Sequence, residues 1–198
     1  MRLIGITGGV GAGKSEVLDW LAAHYNCYVL KADEAAHKVR EPGGACYERL
    51  TALLGNEVLL VDGTIDRKKM AERIFQDREL RKQVNDLIHP AVKDYILQKI
   101  AQKRQDGKTD YFFLEAALLI EEGYDKILDE LWYIRADENV RRRRLKDSRG
   151  YSDEKIDHIF EAQLAEEEFA AHCSFIIDNS SDLEETYRQI KEKLGDTQ

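Results

Sequence analysis

Apolar positions along the chain alternate between two rhythms. Short unbroken runs of β-forming residues occur at positions 3–6, 27–30, 111–114, 131–134 and 175–177. Between them apolar residues recur at helical spacing: Val17, Leu18, Leu21, Ala22 and Tyr25 share one face, as do Leu183, Tyr187, Ile190 and Leu194 near the end. Buried strands separated by amphipathic helices predict a parallel sheet covered on both faces. The spacing between strands two and three is unusual. A helix from Glu34 to about Arg40 is stopped by Glu41-Pro42-Gly43-Gly44, and residues 45–105 then read as almost entirely helical. Successive stripes are Tyr47, Leu50, Leu53 and Leu54; Met70, Ala71, Ile74 and Phe75; and Leu80, Val84, Leu87 and Ile88. His89-Pro90 is predicted to open a longer helix carrying Val92, Ile96 and Ile100, and residues 58–61 to form an extended link turned by Asp62-Gly63. Such a block is too long for a simple crossover and predicts a helical subdomain over a second substrate. The expected division is a core of residues 1–33, 106–136 and 173–198, a helical insert 34–105, and a lid 137–172.

The first strand runs directly into Gly8-Gly9-Val10-Gly11-Ala12-Gly13-Lys14-Ser15, which has the G-x-x-x-x-G-K-S spacing of a phosphate-binding loop. Glycines allow close approach of backbone to ligand, successive N–H groups form a nest for anionic oxygens, and the helix opening near Lys14 adds its positive end. Lys14 brings a mobile charge to the outer phosphates, and the Ser15 hydroxyl can ligate Mg²⁺. A Gly-rich turn with a chance Lys-Ser is the plain alternative; the strand before and the helix after argue against it.

In a parallel sheet, ligands bind at the carboxyl ends of the strands. That edge should collect the loop, Asp33, Glu115, the segment after Ile134, and Asp178-Asn179. Phosphoryl transfer to a hydroxyl needs a carboxylate to take or orient the proton; Asp33 is placed for that, or equally to cap the helix opening at Glu34. Glu115 either supports Mg²⁺ or caps a following helix. From Arg135 to Arg149 seven Lys/Arg face three acids, a local excess of four positive charges in a chain of net charge −8. Four consecutive arginines cannot all face one way on a helix; some are solvated, and the rest suit a lid that neutralises charge on the transferred group. The same run could contact RNA, but it lacks interleaved aromatics in an otherwise acidic chain. Gly150 is placed to hinge such a lid. His89 is either structural or a contact to the acceptor.

With 198 residues, 43% hydrophobic and 34% charged, one domain with an inserted subdomain is expected. Cys27, Cys46 and Cys173 are odd in number and lack a C-x-x-C pair, which suggests buried thiols in a reducing compartment. The chain enters its first strand at once and no apolar run approaches roughly 18 residues. A cytoplasmic protein without membrane or nucleic-acid partners, monomeric, is the expectation.

Together these pieces resemble the dephospho-coenzyme A kinases. The likeness rests on the stretch from Ile4 through Ser15, Ala32-Asp33, Asp62-Gly63-Thr64-Ile65-Asp66-Arg67 with Ile74-Phe75, and His89-Pro90. It continues in Leu118-Leu119-Ile120-Glu121, Arg144-Leu145 with Arg149, Gln163, and Ile177-Asp178-Asn179. The resemblance implies an α/β, P-loop nucleoside-monophosphate-kinase-like three-layer fold with a five-stranded parallel sheet, helical acceptor insert and small lid. It implies ATP-dependent phosphorylation of the ribose 3′-hydroxyl of dephospho-coenzyme A, with Mg²⁺. ATP contacts are expected from Gly8, Gly9, Gly11, Ala12, Gly13, Lys14, Ser15, Glu16, Arg141, Arg144, Arg149 and Asn179, the last near adenine. Acceptor contacts are expected from Thr7, Asp33, Arg67 and His89, metal contacts from Ser15 and Glu115, and Asp33 matches the family's proposed base. Three positions depart from the family pattern. Lys31 replaces the first Asp of Asp-Ala-Asp and, if it faces the site, should lower the Asp33 pKa; Ala117 replaces a Pro; and Glu16 replaces a common Thr. A kinase of the same fold for another small hydroxyl acceptor, or a nucleotide-dependent switch, are the rival readings.

Overall fold

The computed structural model describes residues 1–116 and 119–195. The chain divides into two compact units, Met1–Val29 with Gly107–Gln198, and Leu30–Asp106.

The first unit is built on a five-stranded parallel sheet. Its strands are β1 (Arg2–Thr7), β2 (Cys27–Lys31, whose last two residues fall in the second unit), β3 (Tyr111–Glu115), β4 (Glu130–Arg135) and β5 (Phe175–Asp178), in the order β2-β3-β1-β4-β5. β1 pairs with β3 from Arg2↔Tyr111 to Ile6↔Glu115 and with β4 from Ile4↔Glu130 to Thr7↔Tyr133. β1 and β4 are buried on both sides, which is why their sequences read as continuous apolar runs and not as alternation. On one face Ile4, Ile6, Phe113, Trp132, Ile134 and Ile177 pack against Val17, Leu18 and Leu21 of α1 (Lys14–His24) and Ile190 of the last helix, Leu183–Leu194. The opposite face is crowded enough that a Cβ at Gly5 would sit 2.5 Å from Leu128 Cδ1. The five strands lie where the apolar runs indicate.

The second unit is helical, as the periodicity predicts: α2 (Ala32–Lys38), α3 (Tyr47–Leu54), α4 (Arg67–Gln76) and α5 (Arg78–Asp106). Asp66 caps α4 by accepting from the amides of Lys68 and Lys69, and Asp77 accepts from Leu80 N at the start of α5. The 58–65 segment closes on itself through a Leu59↔Ile65 bridge and an Asp62 carboxylate that accepts from Thr64. Two expectations are corrected. Helix α5 does not begin at His89-Pro90 but runs through Pro90 without a break. A proline in a helix interior forfeits one hydrogen bond; the buried stripe Val84, Ile88, Val92, Ile96 and Ile100 continues at four-residue spacing on both sides of it, and packing of that stripe holds the helix together. Phe75, read as part of a core stripe, is 86% exposed.

The remaining helices of the first unit are α6 (Glu138–Arg149), α7 (Asp153–Glu161), α8 (Glu166–His172) and α9 (Leu183–Leu194). Gly150 ends α6 in the left-handed conformation, the ordinary stop of a helix. Among the described residues no helix is long and apolar enough to cross a membrane.

Candidate active site

The carbonyls of the loop between β1 and α1 are held by side chains from several elements. Lys14 Nζ donates to the Gly8 carbonyl at 2.7 Å and lies 3.4 Å from that of Gly9. The Val10 carbonyl accepts from Arg141 Nε at 3.0 Å, and that of Ala12 from Asn179 Nδ2 at 2.8 Å and Arg144 Nη1 at 3.3 Å. Gly13 stands immediately before α1 with φ of 90°, where a side chain would be strained and its Cβ would fall 2.3 Å from Asn179 Nδ2. Such a loop is a ready anion site at a helix N-terminus.

Two carboxylate assignments become sharper. Helix α2 starts at Ala32 with Lys31 as its cap, so Asp33 lies inside the first turn, exposed, and does not cap a helix at Glu34. Glu115 ends β3; residues 119–123 form a turn, so among the described residues no α-helix follows for it to cap. Its carboxylate is 3.9 Å from Lys14 Nζ. The Ala117 departure and Leu118 lie outside the described residues.

The arginine run sorts by direction. Arg142 is neutralised by Glu138, Asp153 and Asp157. Arg141 and Arg144 turn to the phosphate loop, Arg144 also donating to the Asn179 carbonyl at 3.0 Å. Burial holds both of these guanidinium pKa values below the ordinary arginine value, with Arg143 adding to the effect at Arg144. Arg143 and Arg149 are exposed, the latter beside the Tyr151 ring. Asn179 is 1% exposed and anchored by Thr186 Oγ1 at 2.9 Å, so its amide builds the loop's support. Glu16 accepts from Tyr187 of α9 at 3.3 Å. Thr7 is fully buried and its Oγ1 has no hydrogen-bond partner among the described residues.

In the helical unit, Arg67 Nη2 donates to His37 Nδ1 at 2.6 Å. His37, Arg40, Glu41, Thr64, Ile65 and Arg67 line a cavity of about 220 Å³. Burial, then the charges of Arg67 and Arg40, push the His37 pKa down, while Asp33 and Glu41 oppose. Burial and then Arg67 likewise lower the Arg40 pKa. Two guanidiniums that repel across one cavity suit an anionic ligand. His37 and Arg40 were not singled out from sequence, although Asp33, His37 and Arg40 at i, i+4 and i+7 mark one helical face. His89 lies away from this cavity, on a groove of α5 with Arg78, Arg81 and Lys82.

Residues 2–185 match the family model for dephospho-CoA kinase. The chain belongs to the dephospho-CoA kinase family. A dephospho-CoA kinase of Geobacter sulfurreducens is 35% identical over 192 residues, covering 97% of this chain and 96% of the relative. A solved structure from Thermus thermophilus superposes with TM-score 0.79 at 30% identity, covering 98% of this chain and 96% of that one. The dephospho-CoA kinase of Campylobacter jejuni, at 21% identity and TM-score 0.72 over 98% and 96% of the two chains, shares the fold.

Among the described residues no cluster of three or more His, Cys, Asp or Glu could hold an ion. Mg²⁺ asks for less: it is commonly held by one or two protein oxygens together with substrate phosphates. The Ser15 hydroxyl and the Glu115 carboxylate near Lys14 fit that requirement.

Proposed function

We infer that the protein phosphorylates dephospho-coenzyme A with ATP, giving coenzyme A and ADP, with the ribose 3′-hydroxyl as the attacking group. The observation that carries this is a phosphate loop with its lysine poised on it, in a chain matched almost end to end by dephospho-CoA kinases.

The loop amides and Lys14 hold the β- and γ-phosphates and orient the γ-phosphorus for in-line attack. Asp33 takes the hydroxyl proton as the new oxygen–phosphorus bond forms and the bond to ADP breaks. Its place directly after β2, free of a capping task, supports that role. Ser15 and Glu115 would hold Mg²⁺, which would supply charge neutralisation at the phosphates. The cavity of His37, Arg40 and Arg67 receives an anionic part of the acceptor. Among the arginines of the lid, the exposed Arg149 is available to meet the transferred group, whereas Arg141 and Arg144 support the loop. The enzyme works as a cytoplasmic monomer.

The test is ADP formation with dephospho-coenzyme A beside adenosine and pantetheine. Turnover with dephospho-coenzyme A far above both controls is the expected result; comparable turnover with adenosine favours a kinase for another acceptor, and ATP hydrolysis indifferent to all three sinks the assignment.

A further inference from the structure

Val10 is gripped at both backbone groups by side chains from outside the loop. Arg141 Nε donates to its carbonyl at 3.0 Å, its amide donates to Gln163 Oε1 at 3.3 Å, and Arg141 Nη2 donates to that same Oε1 at 2.6 Å. A closed ring of three hydrogen bonds results. The guanidinium carbon lies 4.2 Å from the centre of the Phe160 ring, which fixes its plane. It also lies flat against Gly9: a Cβ there would fall 2.4 Å from Arg141 Nη2. The G-x-x-x-x-G-K-S spacing leaves position 9 open, so the need for glycine at that position comes from Arg141.

Every hydrogen-bond acceptor around Arg141 is neutral. Its neighbour Arg142 has three carboxylates, whereas Arg141 forms no ion pair among the described residues. Glu138 and Glu166 act on it only at a distance; a partly buried cation without a contacting anion is costly, and the site beside it is an anion site. We propose that Arg141 and Gln163 are positioning residues for the phosphate loop, fixing the Val10 peptide from behind while Arg141 supplies a positive charge that gains a close counter-ion when a polyphosphate occupies the loop. This deepens the kinase reading: it rests on the loop taking ATP and is independent of the acceptor's identity.

The experiment uses the full chain with Arg141→Met, Gly9→Ala, their combination, and Gln163→Leu. Thermal midpoints are read without ligand and with saturating ATP, and affinities for ATP and for dephospho-coenzyme A are titrated separately. Arg141→Met should keep the ligand-free midpoint, weaken ATP about tenfold, shrink the rise in midpoint that ATP produces, and leave dephospho-coenzyme A affinity unchanged. Gly9→Ala, which displaces the guanidinium while retaining the arginine, should weaken ATP similarly, and the double variant should be no worse than the stronger single. Gln163→Leu should speed hydrogen exchange at the Val10 amide and weaken ATP, a readout that survives if Arg141→Met does not fold. Unchanged ATP affinity in Arg141→Met and Gln163→Leu overturns the proposal. So does a parallel fall in ligand-free midpoint and in affinity for both substrates, or fully additive Gly9 and Arg141 effects. Wild-type protein that binds no ATP at all is a different outcome, which sinks the kinase reading and this proposal with it.

Discussion

Arg67 Nη2 lies 2.6 Å from His37 Nδ1. A guanidinium can only donate, so Nδ1 must accept, and His37 is neutral with its proton on Nε2. Arg67 and Arg40 press on the imidazole from the cation side, and Asp33 and Glu41 offset them in part.

That bond makes acceptor binding sensitive to acid. The folded-state pKa of His37 lies below the ordinary 6.5, so the folded chain binds fewer protons than the unfolded chain between the two values. The contribution of the neutral imidazole is therefore complete above about 6.5 and is lost as the pH falls toward the folded pKa. That loss concerns the fold; an anionic part of the acceptor in the same cavity favours the imidazolium, so KM for dephospho-coenzyme A should fall on acidification while the affinity for ATP changes little. His37→Asn should flatten this acid dependence of the acceptor KM; an acid limb unchanged in that variant removes His37 from the explanation.

Asp33→Asn should bind both substrates and lose roughly 10²–10⁴ in turnover, the range for removal of a positioned base. Single-turnover measurement with preformed ternary complex checks this, and near-normal turnover would reject Asp33 as proton acceptor.

Asn179 is buried between Ala12 and Thr186. Asn179→Ala removes both bonds, leaving the Ala12 carbonyl to Arg144 Nη1 and Thr186 Oγ1 to the Asp182 carbonyl, and should destabilise the fold by about 1–3 kcal/mol. Urea unfolding reads the change; a midpoint equal to wild type would show that neither bond matters to the fold.

Burial pushes the Cys27 thiol up to about 11 and that of Cys173 to about 12, and burial raises Cys46 as well. Thiolate, the reactive form, is then scarce at pH 8. Native protein should react with iodoacetamide far more slowly than the same protein in denaturant, as followed by mass spectrometry of each cysteine.

The order of elements and the phosphate loop were legible because each depends on local chemistry. Apolar runs of three or four residues fix where strands lie, and Gly13-Lys14-Ser15 after a strand leaves a helix N-terminus facing a gap. The helical insert was legible for the same reason, through repeated stripes at 3.6-residue spacing. Its cavity was less so: His37 sits on the same helical face as Asp33, but that it accepts from Arg67, thirty residues on, is a long-range fact.

By itself the sequence determined a parallel sheet, a nest for phosphate and a helical insert, because hydrophobic period and glycine stereochemistry act over a few residues. Only the tertiary structure decided that α5 passes through Pro90, that Phe75 faces solvent, and that adjacent arginines part company. Arg142 goes to three carboxylates and Arg141 to the Val10 peptide. Successive helical residues point about 100° apart, so one run of identical side chains meets different surroundings, and those are set by segments distant in the chain.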